Sequence, residues 1–126
     1  MTDEELIGLA ARVRQNAYAP YSDFAVGAAV FCASGQVYTG CNIENSAFGA
    51  GICAERVAVY KAISNGEREF LKLAVISDRE EFCYPCGICR QVLFEFSPDC
   101  VVLCCRNEKE YKKSRAYELL PDGFRL

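Results

Sequence analysis

A three-layer α-β-α sandwich is the fold class predicted for this chain, with a mixed, mostly parallel five-stranded sheet in the middle layer. Three observations carry the prediction. Segments of helical period alternate with short apolar runs, the pattern of strands joined by helices. The runs at 70–77 and 100–105 are nearly continuous rather than alternating, as expected for strands covered on both faces. The chain has 126 residues, 52% of them apolar, which suits one domain over 1–126 with a core of its own.

The elements follow in order. Thr2 and Glu5 fit a capping box, and Leu6, Leu9, Ala10, Val13 and Ala17 recur at helical spacing, so a helix is expected over about 3–17. Pro20 stops that pattern. Apolar runs at 24–31 and 37–43 flank Ala33-Ser34-Gly35-Gln36, the signal for a hairpin. Residues 44–51 are small and polar and read as a loop. A helix over 52–64 buries Val57, Val59, Tyr60 and Ile63, and Asn65-Gly66 ends it. The strand at 70–77 is followed by a loop through Pro85 and a helix over about 86–96, which Pro98-Asp99 breaks. The strand at 100–105 precedes a charged turn, and 112–117 reads as a weak edge strand.

Composition excludes several function classes. Net charge is −3 with a pI near 5.0, and no basic stripe is present, so a nucleic-acid surface is not expected. No run approaches the ~18 apolar residues of a membrane span, and the acidic start Met1-Thr2-Asp3-Glu4-Glu5 does not read as a signal peptide. There are nine cysteines and no histidine. An odd count cannot pair fully within the chain, and grouped cysteines point to metal or catalysis in a reducing cytoplasm. Without histidine, acid–base work near neutral pH falls to carboxylates, cysteines or lysines.

The chemistry concentrates in Cys53-Ala54-Glu55-Arg56 and Pro85-Cys86-Gly87-Ile88-Cys89-Arg90-Gln91. Both sit at expected helix starts, where backbone N–H groups favour thiolate. Cys86 and Cys89 are one helical turn apart, a common zinc-chelating spacing, and Cys53 supplies a third sulfur. Three protein ligands leave zinc one open position, the mark of a catalytic site. Glu55 is placed to exchange a proton there as general acid and base. Three thiolates outweigh the charge of one zinc ion, so a cation should offset them. Arg56 and, less directly, Arg90 are the candidates. Cys32, Cys41, Cys83, Cys100, Cys104 and Cys105 are read as small buried hydrophobes.

These two segments, with Pro20 to Ala29, Gly40-Cys41-Asn42-Ile43-Glu44-Asn45 and Glu118 to Phe124, resemble the small zinc-dependent cytidine deaminases that act on free nucleosides. The resemblance runs from about Pro20 to Phe124. It implies one zinc per chain on Cys53, Cys86 and Cys89, with Glu55 moving a proton to N3 of cytosine as ammonia is lost. It implies that Phe24 packs on the pyrimidine, that Asn42 and Glu44 bind ribose hydroxyls, and that the backbone at Ala54 reads the base edge. Arg56 and Gln91 would support the metal ligands from behind. It further implies a cytoplasmic homotetramer in pyrimidine salvage, with Phe48 and Phe124 near subunit contacts and Phe124 reaching a neighbour's site. Two alternatives stand beside it: a deaminase of a cytosine-nucleoside analogue of the blasticidin type, and a non-catalytic module in which Cys83 closes a four-sulfur structural zinc site.

Overall fold

Thr2 caps the first helix by accepting from the Glu5 N–H at 3.1 Å, which satisfies a donor that the first helical turn leaves free. The computed structural model describes residues 1–126. Helix α1 spans Asp3–Val13 and continues into a 3₁₀ turn, Arg14–Asn16. Strands β1 (Val26–Cys32) and β2 (Val37–Cys41) form the expected hairpin. A 3₁₀ turn, Phe48–Ala50, lies in the loop that follows. Then come α2 (Ala54–Ser64), β3 (Phe70–Ser77), α3 (Gly87–Phe96), β4 (Val101–Cys105) and β5 (Tyr111–Arg115), and a last 3₁₀ turn at Ala116–Leu119.

The five strands form one sheet in the order β2-β1-β3-β4-β5. Helix α1 covers one face and α2 with α3 the other, so the three layers are as expected. The expectation of a mostly parallel sheet is corrected: only β3 and β4 pair in parallel, and the other three neighbouring pairs are antiparallel. The cause is the position of β1. Strands β2 and β3, joined through α2, do run in the same direction, as a strand–helix–strand unit requires. But β1 lies between them and pairs antiparallel with both.

Side chains alternate across the sheet with period two. Ala28, Val30, Leu73, Val75, Val102 and Cys104 point into a core with Ala54, Ala58, Val59 and Leu93 of α2 and α3. Ala29, Ala74, Ile76, Leu103 and Cys105 meet Leu6, Ile7 and Ala10 of α1. Each fully buried Leu or Ile here contributes about 1.5–3 kcal/mol. Of the six cysteines outside the two motifs, five are buried and Cys41 is half-buried, and all are free. No helix is long and apolar enough to cross a membrane.

This topology gathers one edge of the sheet. The C-terminal ends of β2 and β3, the start of β1, and the N-termini of α2 and α3 all lie there, where open α/β sheets bind ligands.

Candidate active site

A cavity of about 420 Å³ opens at that edge. The strands bring Val26 from the start of β1 and Phe24 from just before it, Asn42 and Glu44 from beyond β2, and Ser77 from the end of β3. The helices bring Cys53, Ala54, Glu55 and Arg56 from the start of α2 and Cys86 from the start of α3.

Cys53 and Cys86 are the N-cap residues of α2 and α3, with extended backbones that turn both side chains out of the helices. Their sulfurs are 3.7 Å apart. Cys89 lies one turn into α3 and is 1% exposed. The three Sγ atoms all lie within 4.8 Å of one another, and Cys83 is not in the group. That removes the basis for a closed four-sulfur centre. The Cys53 thiol is held well below its usual range, first by the Cys89 thiol that donates to it, and then by Arg56 and Cys86. Cys89 keeps its proton for the reciprocal reason; the two titrate as a pair. The Arg56 guanidinium donates to Cys53 Sγ at 3.5 Å, and its Nε is buried with no partner. A soft, three-sulfur donor set, two of whose members line the cavity, under a guanidinium that offsets thiolate charge, fits zinc.

Glu55 is 4% exposed. Burial pushes its carboxyl up to about 7, and the charge of Cys53 adds to the rise. A carboxyl poised near neutral pH can both take and return a proton.

Asn42 and Glu44 line the cavity as expected, yet both also serve the chain itself. Asn42 Oδ1 accepts from the Val26 N–H at 2.9 Å, and its Nδ2 donates to the Phe24 carbonyl at 2.7 Å. Glu44 accepts from the Tyr21 and Ser22 N–H groups at 2.9 and 3.2 Å and from the Ser22 hydroxyl. The hydroxyl bond, followed by the backbone bonds, holds its carboxyl below the usual range.

Two expected supports of the metal ligands lie elsewhere. Gln91 donates to the Phe124 carbonyl at 3.1 Å, so it ties the C-terminal tail to α3 rather than backing a sulfur. Arg90 donates to the carbonyls of Pro85 and Leu119 at 2.7 and 2.9 Å. Phe124 is 65% exposed and lies outside the cavity of its own chain; Phe48 is 88% exposed. Arg79, Glu81, Phe82, Cys83 and Tyr84, from the loop between β3 and α3, also line the cavity. Apart from Cys83, which the sequence offered only as a buried hydrophobe or a structural ligand, sequence reasoning missed them, because no spacing rule assigns a loop to a site.

The zinc-binding region of cytidine and deoxycytidylate deaminases matches residues 1–105. A cytidine deaminase of Sporosarcina psychrophila is 45% identical, over 98% of this chain and 92% of its own length. A solved cytidine deaminase from Burkholderia pseudomallei superposes with a TM-score of 0.93 at 42% identity, covering 98% of this chain and all of that one. A blasticidin-S deaminase of Bacillus cereus is 33% identical over 76% of the chain and 74% of its own length. Sequence match and three-dimensional likeness thus agree along nearly the whole length, and the chain belongs to the cytidine and deoxycytidylate deaminase family.

Proposed function

We propose that this chain, as one deaminase domain over 1–126, hydrolyses free cytidine and 2′-deoxycytidine to uridine and 2′-deoxyuridine, in pyrimidine salvage. One water enters at C4 and one ammonia leaves. The observation that carries the reading is Glu55: a carboxyl 4% exposed, in the cavity lining beside the three-sulfur cluster.

Cys53, Cys86 and Cys89 hold zinc, which when bound supplies Lewis acidity that activates water near neutral pH. Glu55 takes a proton from the attacking water and places it on N3 of the base. It then takes the second proton of that water from the oxygen now bonded to C4 and passes it to the exocyclic nitrogen; the C4–N bond breaks, the C4 carbonyl forms and ammonia leaves. No histidine is required, because one carboxyl near pH 7 serves both directions of transfer. Arg56 holds the sulfurs and limits the negative charge on the ligand set. Phe24 packs against the pyrimidine, the Ala54 backbone meets the base edge, and Asn42 and Glu44 reach the ribose hydroxyls. Their bonds to residues 21–26 fix both side chains before substrate arrives, which lowers the ordering cost of binding.

The proposed assembly is a cytoplasmic homotetramer. Phe48 and Phe124 support it, since two aromatics this exposed gain from burial against a second copy. Nine thiols, three of them needed as metal ligands, suit a reducing compartment.

The test is a metal count joined to an assay. Protein purified without chelator is expected to carry about one zinc per chain and to convert cytidine to uridine, read by absorbance. Zinc without turnover overturns the cytidine reading. A blasticidin-type substrate is the second reading, supported by the 33% identical relative; turnover of blasticidin S without turnover of cytidine would establish it.

A further inference from the structure

The register of the β1–β3 ladder leads to a residue that neither motif contains. Val26 stands opposite Ser77 at the edge of the sheet. One step further, the Asp78 N–H donates to the Ala25 carbonyl at 3.0 Å. Continued by another residue, the same antiparallel pairing sets Arg79 opposite Phe24, and the side chains meet there. The Arg79 guanidinium carbon lies 5.4 Å from the centre of the Phe24 ring, within cation–π range.

One further bond fixes the Arg79 backbone and two aim its guanidinium. The Arg79 N–H donates to Ser77 Oγ at 3.1 Å, Nη2 donates to the Asp23 carbonyl at 2.9 Å, and Nε lies 3.3 Å from the Asp78 carboxylate. Asp23 has φ +56°, in the left-handed region that a residue with a side chain seldom adopts. Its carbonyl is therefore held where the backbone alone would not favour it. The backbone of Phe24 is fixed by Ser22 and Asn42, which leaves its ring to Arg79. With Nη2 and Nε held by Asp23 and Asp78 and the guanidinium carbon over the ring, Arg79 acts on substrate through Phe24.

We infer that Arg79 is a positioning residue for nucleoside binding, fixing the Phe24 ring and the Asp23 turn at the cavity lining. The inference deepens the deaminase reading and rests on it for the identity of the ligand. Arg79→Met keeps the apolar stem and removes the charge. It is expected to raise the KM for cytidine about fivefold, the value of one exposed cation–π contact, with kcat within about twofold. Arg79→Lys retains a cation over the ring and should restore most of that KM. In a Phe24→Leu background, Arg79→Met should change KM by less than about twofold, because the coupled partner is gone. Equal losses in KM and kcat, failure of Lys to rescue, or full additivity with Phe24→Leu would each overturn the role.

A second readout needs no substrate. Amide hydrogen exchange at Asp23 and Phe24, which flank the carbonyl that Arg79 holds, is expected to quicken severalfold in ligand-free Arg79→Met, and unchanged exchange overturns the clamp. Wild-type protein without cytidine turnover would instead overturn the deaminase reading, so the two failures are told apart.

Discussion

On one face of the sheet, α1 lays Leu6, Ile7 and Ala10 against Ala29, Ala74, Ile76 and Leu103, all closed to solvent. On the other face, α2 packs through the small side chains of Ala54, Ala58 and Ala62 and also buries the carboxyl of Glu55. Each face has a glycine that admits its helix. A Cβ on Gly27 of β1 would lie 2.0 Å from the Ala10 carbonyl of α1, and one on Gly40 of β2 would lie 2.5 Å from the Ala58 nitrogen and 2.6 Å from the Ala54 carbonyl of α2. The difference is in what each contact holds. Behind α1 there is only core. The α2 contact sets Ala54, and with it Cys53, Glu55 and Arg56, at the cavity. One face supplies stability, while the other gives up part of it by keeping a titratable group out of water.

The sharpest separation of the two faces is Glu55→Gln. It should lower cytidine turnover by about 10²–10⁴, the usual weight of a general acid–base group, while zinc content holds and the thermal midpoint does not fall. Wild-type rates in that variant would break the assignment of chemistry to this face. Leu6→Ala is the converse. It should cost about 3 kcal/mol in denaturant unfolding through the cavity it leaves, with kcat and KM of the folded fraction unchanged.

The two glycines test the comparison directly. Gly27→Ala and Gly40→Ala should each destabilise by at least about 2 kcal/mol, since backbone must move to admit the methyl. Only Gly40→Ala should also change cytidine kinetics, because only it displaces α2. Equal kinetic losses from both would show the faces to be coupled.

The smallest effect belongs to Asp3. Its carboxylate bonds Lys113 and Lys72, at 2.6 and 2.8 Å, which tie α1 to β5 and β3. Those lysines hold its pKa below the usual 3.8. A depressed carboxyl stabilises the fold above its unfolded pKa, and that contribution is lost as pH falls through the folded value. Wild type should therefore exceed Asp3→Asn by about 1 kcal/mol or less at neutral pH, since the lysines are partly solvated. The gap should close below about pH 4, and one that widens on acidification would reverse the sign.

Much of this was legible in the sequence, wherever the determining interaction is local. Helical period and the Thr2 cap located α1. Two apolar runs and the turn at Ala33 to Gln36 located the hairpin. Cys86 and Cys89 are neighbours on one turn whatever the rest of the chain does. Only the tertiary structure decided the rest. The insertion of β1 between β2 and β3 made the expected mixed sheet mainly antiparallel rather than mostly parallel, because strand order is a matter of long-range pairing that local pattern does not encode. The approach of Cys53 to Cys86, the capture of Gln91 by the Phe124 carbonyl and the meeting of Arg79 with Phe24 have the same origin. The residue types fixed which chemistry was possible, and the register of distant strands decided which side chains share it.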